Sequence, residues 1–250
     1  MINFIRTLFT HKRLKISSFG RTDTGKVRQH NEDSFALRPG QYLYLVADGM
    51  GGHRAGEIAS RLAIEAVIEA IPAAELNRSR FSADACRHLL TEGFRQANSM
   101  VLTYGDQQPE RAGLGCTMIG CLIMGSQAHL CHVGDVRGYL IKDKETTQIT
   151  SDHSLAAMSS GSDEKQPKNI VTRCIGVNRE SNPEYHLLDL ACQDQLLLCS
   201  DGLWNMVPDT EIFHIISTAL TLEIACDQLI TQANEAGGRD TIPALLLKVE

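Results

Sequence analysis

Apolar residues at 58, 62, 63, 66, 67, 70 and 71 recur at the three-and-four spacing of a helix face, which predicts a helix from Ala55 to Ile71 ended by Pro72. A second amphipathic helix follows over Ser82 to Tyr104, with Ala85, Leu89, Leu90, Phe94, Ala97 and Val101 turned inward. Two more helices fit Asp209 to Ser217 and Leu222 to Ala236. The remaining apolar sequence comes in short β-type runs: Ile16 to Phe19, Phe35 to Leu37, Tyr42 to Ala47, Gly115 to Met124, Ala128 to Val133, Gly138 to Lys142, Tyr185 to Leu190, Gln195 to Cys199 and Ala244 to Val249. With turns at Gly125 to Gln127 and Lys142 to Glu145, the runs between 115 and 142 read as an antiparallel meander. Pro243 has no N–H for a ladder and belongs at a strand start or an edge. The polar stretch Ser159 to Lys168 reads as a mobile loop or lid. Strands and helices are grouped rather than alternating, so the expected class is α+β, with sheets stacked face to face and helices outside.

The run Tyr42 to Ala47 ends in a lone acid, Asp48, and then in a turn that is nearly all backbone, Gly49-Met50-Gly51-Gly52. Glycines there let amides and carbonyls approach a small ligand, a design suited to a hard cation or a phosphate. Taken alone it serves equally well as a strand-to-helix turn capped by Asp48. The same local design recurs, however. Leu196 to Cys199 runs into Ser200-Asp201-Gly202, His132-Val133 into Gly134-Asp135, and Gly237-Gly238-Arg239-Asp240 leads into the last strand.

Composition narrows the choice. A chain of 250 residues, 43% of them hydrophobic, has apolar content for one large domain or two small ones. The formal net charge of −6 argues against a nucleic-acid footprint and favours cations or a basic partner. Residues 1–15 carry Arg6, Lys12, Arg13 and Lys15 and no acid, so they read as a basic tail ahead of a single domain over 16–250. Their apolar stretch is too short and too broken by Arg6 for a signal peptide or a spanning helix, and no other run reaches transmembrane length. The eight cysteines form no C-x-x-C pair and mostly sit within apolar patterns, as buried thiols of a reducing compartment do. The expectation is a cytoplasmic monomer with no stable membrane insertion.

Four strand-edge carboxylates converging without a cation would repel one another, whereas divalent metal turns that cost into binding energy. With no His or Cys at metal-ligand spacing, all-oxygen ligation points to magnesium or manganese. Two such ions suit one chemistry, acidifying a bridging water and bracketing a phosphoryl group for in-line attack. A guanidinium for the non-bridging oxygens is available in Arg28, five residues before Asp33.

These residues fall within longer stretches: T-D-T-G-K-V-R-Q-H-N-E-D-S-F (22–35), V-A-D-G-M-G-G-H-R-A-G-E-I-A-S (46–60), G-C-T (115–117), H-V-G-D-V-R-G-Y-L (132–140), S-D-H-S-L (151–155), N-I-V-T-R-C-I-G (169–176), L-L-C-S-D-G-L-W (197–204) and G-G-R-D (237–240). In this order, from about residue 16 to the end, they resemble the metal-dependent (PPM, type 2C) serine/threonine protein phosphatases in their bacterial form. The resemblance implies a four-layer αββα sandwich with the metal centre at one end. It implies two Mn²⁺ or Mg²⁺ ions, with Asp48 bridging them, the Gly49 carbonyl on the second, and Asp201 and Asp240 on the first. Glu32 and Asp33 would form the outer pair, Asp33 orienting the attacking water, while Arg28 grips the phosphate and Asp135 serves a weaker third ion shared with Asp201. The substrates implied are phosphoserine and phosphothreonine proteins, with a cognate serine/threonine kinase as a partner.

Departures from the family pattern define the alternatives. Met50 stands where animal members carry a proposed general-acid histidine, Asn205 where many members carry a third-site aspartate, and Thr241 where an asparagine is usual. Pro243 follows in a strand normally free of proline, the lid looks short, and His53 reads as a residue of the helix N-terminus. A weakened, phosphoprotein-binding relative of the family and another two-metal phosphoesterase are the competing readings.

Overall fold

A computed structural model describes residues 14–51, 55–71, 82–108, 113–143, 145–158 and 170–250. Two five-stranded antiparallel sheets stack between helices. The first sheet runs β2 (Asp33–Arg38), β3 (Leu43–Met50), β4 (Gly115–Met124), β5 (Gln127–Val133), β8 (Glu184–Asp189). The second runs β1 (Ile16–Asp23), β10 (Ile242–Val249), β9 (Gln195–Cys199), β6 (Arg137–Lys142), β7 (Glu145–Gln148). Helices α1 (Ala55–Ala70) and α2 (Ala83–Asp106) cover the first sheet; the short α3 (Leu155–Met158) follows β7, and α4 (Asp201–Trp204), α5 (Asp209–Thr218) and α6 (Leu222–Glu235) lie on the second.

Burial on both faces explains why the central strands are continuously apolar rather than alternating. Along β3, Leu43, Leu45 and Ala47 pack under α1 and α2, while Tyr44 and Val46 join Ile119, Leu130, Leu198 and Leu245 between the sheets. The second sheet sends Leu197, Cys199 and Leu246 to Leu203, Ile212 and Leu229 of its own helices. Ser82 caps α2 by accepting the Ala85 N–H at 3.2 Å, and Thr221 caps α6 through Ile224 at 3.2 Å. Seven of the eight cysteines are buried, all are unpaired, and only Cys192 is exposed.

The predicted meander is corrected by the topology. β4 and β5 pair in the first sheet, but β6 belongs to the second. The chain crosses between sheets at Gly134, whose φ of +101° and whose packing on Thr117 leave no room for a side chain. Glu145, expected at the end of a turn, opens β7, and the strand Glu145–Gln148 was not anticipated: as an edge strand it has little apolar surface to signal it. Pro243 pairs only with Thr22 of β1, and the ladder to β9 starts one residue later at Ala244, so the proline sits at a strand start as its chemistry requires. The expected stop at Pro72, the placement of His53 and the lid over 159–168 lie outside the described residues, as does most of the basic tail. Among the described residues, no helix is long and apolar enough to cross a membrane.

Candidate functional site

The β2–β3 ladder runs one step beyond the apolar stretch. Its last pair places Asp33 directly opposite Asp48, an arrangement of like charges that a sheet tolerates only for a reason. From the second sheet, Asp201 opens α4 straight after β9, and Asp240 precedes β10. Asp135 comes from the crossover between β5 and β6. All of the acids except Asp33 line one cleft of about 330 Å³, together with Arg28, Glu32, Gly49, Met50, Gly51, Thr117 and Val171. Asp33 lies just beneath, only 6% exposed.

Close backbone approach holds the cleft together. A Cβ on Gly49 would stand 2.1 Å from the Gly56 carbonyl oxygen and 2.5 Å from that of Glu32, so the glycine lets α1 and the β2 entry crowd against the end of β3. The Gly49 N–H donates to Glu32 O at 3.2 Å, and Ser60 Oγ donates to the same carbonyl at 2.7 Å. Across the site, a Cβ on Gly202 would lie 1.9 Å from Thr241 O. Ser200 Oγ is 3.0 Å from Asp33 Oδ2 and 3.3 Å from Thr241 O, which ties an acid of the first sheet to the second. The Thr241 N–H donates to Asp240 Oδ1 at 2.9 Å. Thr241 thus holds Asp240 through its backbone N–H, and Asp240 lines the cleft. Asn205 Nδ2 donates to Asp201 Oδ2 at 3.2 Å, so the residue standing where many members carry an aspartate props a neighbouring acid.

Among the described residues, Arg28 is the one cation lining the cleft. Its Nη1 donates to Glu32 Oε2 at 3.2 Å and its Nη2 to Asp240 Oδ2 at 2.7 Å, with N–H groups to spare for another anion. One guanidinium does not balance so many carboxylates. Desolvation, followed by the charges of its neighbours, pushes Asp48 well above the ordinary carboxylate range. Burial raises Asp33 to about 8, against hydrogen bonds from Thr241 and Ser200 that pull it down. Burial, then repulsion from Asp135 and Asp240, raises Asp201 to about 7, and burial takes Asp135 to about 6. Glu32 is also raised, by burial above all.

These features fit divalent cations. The donors are carboxylates, the one guanidinium among the described lining residues leaves most of their charge uncompensated, and Asp33 Oδ1 is buried with no hydrogen-bond partner. Among the described residues, the single set of three His, Cys, Asp or Glu ligand atoms within 4.8 Å of one another lies elsewhere.

Every residue singled out in the sequence as a site candidate, Arg28, Glu32, Asp33, Asp48, Gly49, Asp135, Asp201 and Asp240, converges here. Ser200 and Thr117 were not singled out, although both lie inside the quoted motifs; their positions next to Asp201 and opposite Asp48 are the signal that identifies them.

The Protein phosphatase 2C family profile matches residues 23–233. The serine/threonine phosphatase stp of Listeria monocytogenes is 36% identical over 239 residues, covering 91% of this chain and 94% of that protein. The crystal structure of the Mycobacterium tuberculosis serine/threonine phosphatase PstP/Ppp is 30% identical and superposes with a TM-score of 0.84 over 94% of this chain and 99% of its own. A structure of the PstP catalytic domain in complex with two manganese ions is 32% identical, with a TM-score of 0.82 over 94% and 98% of the two chains.

Proposed function

Since the chain belongs to the protein phosphatase 2C family, we propose that the acidic cleft is where it hydrolyses phosphoserine and phosphothreonine on proteins. The chain is a metal-dependent serine/threonine phosphatase, using Mn²⁺ or Mg²⁺. The observation that carries the site assignment is the convergence of Asp48, Asp135, Asp201 and Asp240, from both sheets, on one cavity over Asp33.

Asp48, the Gly49 carbonyl, Asp201 and Asp240 would hold the two ions, with Glu32 and Asp33 behind them and Asp135 at a weaker third position. When bound, such ions supply Lewis-acid polarisation of the phosphoryl group and an acidified water. The chain's own groups do the rest. Arg28, half exposed at the rim, turns its planar fork from Asp240 and Glu32 to two phosphoryl oxygens and fixes the phosphorus for in-line attack. Asp33 Oδ1, unpartnered at the cleft floor, orients the attacking water and accepts its proton as the new P–O bond forms. The bond from phosphorus to the seryl or threonyl oxygen breaks, and that oxygen takes a proton from solvent, because Met50 at the rim has none to give. Gly49 and Gly202, locked by close backbone contact, keep the donors from drifting.

The bacterial relatives and the buried, unpaired thiols support a cytoplasmic place in kinase-linked signalling, with residues 16–250 as the catalytic unit. The binding-only alternative is not favoured, since Asp240 keeps its position and its partners. The test is turnover of a phosphothreonine peptide with manganese. Wild type should be active and Asp48→Ala at least about 10²-fold slower; equal rates would overturn the assignment, and a preference for phosphodiesters would reveal the other two-metal chemistry.

A further inference from the structure

The layer between the sheets is apolar until one end of the β5–β8 ladder. Along β5 the inward positions read Ala128, Leu130, His132; along β8 they read Leu188, His186, Glu184. His132 and Glu184 are register partners, and His132, Glu184 and His186 each offer a ligand atom within 4.8 Å of the others. His186 Nε2 stands 3.4 Å from Glu184 Oε1, close to the roughly 3.3 Å between two donors on one tetrahedral ion with bonds of about 2.0–2.1 Å.

The hydrogen bonds around the cluster leave its ligand atoms open. His132 is fully buried, and its Nε2 lies 3.0 Å from Ser151 O, a carbonyl that only accepts. Nε2 therefore carries the proton and Nδ1 presents a lone pair, yet Nδ1 is buried with no partner. An orphaned acceptor in the core is costly. His186 Nε2 is likewise buried without a hydrogen-bond partner. One shell further out, the Gly134 N–H donates to His153 Nδ1 at 3.1 Å, so His153 Nε2 carries its proton and donates to Glu184 Oε2 at 3.2 Å. That leaves Glu184 Oε1 as the free oxygen. A backbone carbonyl fixing one imidazole and a second imidazole fixing the carboxylate are the supports that metal ligands usually have. Arg173 Nη1 approaches His153 Nε2 at 3.4 Å, on the supporting imidazole rather than on the three ligand atoms.

We propose that His132 Nδ1, His186 Nε2 and Glu184 Oε1 form a second metal site, separate from the acidic cleft, that takes a borderline transition ion, Zn²⁺ foremost. Two imidazoles and one carboxylate select such ions over Mg²⁺. Glu184 is 38% exposed, which opens a path from solvent and leaves a position for water. The site lies three residues before Asp135 and, through His153, holds the Gly134 turn that carries it.

The test uses the full chain with magnesium saturating the acidic cleft, titrated with Co²⁺ as a spectroscopic probe and then with Zn²⁺ as competitor. One equivalent of Co²⁺ should bind with the intense visible absorption of a four- or five-coordinate site, and Zn²⁺ should displace it. Glu184→Gln, conservative and partly exposed, and His186→Ala should each weaken Co²⁺ binding by about 10-fold or more. Both should keep wild-type thermal melts and magnesium-dependent turnover. Absence of the intense band in wild type, or a band of unchanged affinity in both variants, overturns the proposal whether or not the acidic cleft is catalytic.

Discussion

Asp201→Asn should make the metal-free protein more stable and the metal-loaded protein less so. Asp201 is raised from 3.8 to about 7 by burial first and by the charges of Asp135 and Asp240 next. Because the folded-state value lies above the unfolded one, the cost of ionising Asp201 is absent below about pH 4, grows as pH rises, and is complete above about pH 7. At pH 8 its ceiling is about 4 kcal/mol. Water at the cleft mouth and the shared titration of the acids reduce that figure, and the anion's favourable place at the start of α4 returns about 0.5 kcal/mol. A net gain of about 1–3 kcal/mol remains for the neutral amide, which still accepts from Asn205. In a chelator at pH 8 the melting temperature should rise by about 2–10 °C, and by less at pH 5. Manganese at 100 times its Kd should lift wild type by about 2.7 kcal/mol, an increment the variant mostly forfeits together with turnover. Calorimetric melts with and without manganese decide it. A variant no more stable than wild type in chelator at pH 8, or one that gains as much from manganese, refutes the reasoning.

The same acids predict the pH dependence of the metal-free fold. Between pH 8 and about 6.5 the melting temperature should rise as pH falls, because Asp33, Asp201 and Asp135 bind protons in the folded state that the unfolded chain does not. Below about 6.5 the depressed His132 and His153 begin to oppose the trend, since the unfolded imidazoles take up protons that the buried ones refuse; saturating manganese should remove the upper limb. Arg28→Ala should lower kcat/KM on a phosphothreonine peptide by about 10²-fold with manganese affinity nearly intact, and Arg28→Lys should recover little, because an ammonium lacks the planar fork. Gly202→Ala should destabilise by at least about 1–3 kcal/mol in urea titrations, since its Cβ meets the Thr241 carbonyl, backbone that cannot swing aside.

Much of the sandwich could be read from periodicity because burial writes it into each strand. Gly115–Met124 and Gln195–Cys199 fall where their apolar runs place them. The boundaries that extended beyond expectation are instructive. β3 continues through Asp48 to Met50 and β2 begins at Asp33, since the ladder carries the acids past the point where apolarity ends. The split of the meander was invisible because β5 and β6 are joined by only three residues, Gly134 to Val136, and pattern alone does not say that a short turn changes sheets. The acids were recognisable by a repeated strand-acid-glycine design, while Ser200 was hidden as an ordinary polar residue until its contacts were seen. The His132, Glu184 and His186 cluster was missed since half a hundred residues separate its parts, and only strand pairing joins them.

Asp33 and Asp48 come from one sheet, and Asp201 and Asp240 flank the ends of two interior strands of the other. Whatever neutralises them therefore acts as a rivet between two plates that otherwise adhere through an oily layer and a few polar ties. Starved of cations, the enzyme would be softer as well as slower, with amide exchange quickening at Gly49 and Thr241 well before the whole molecule lets go.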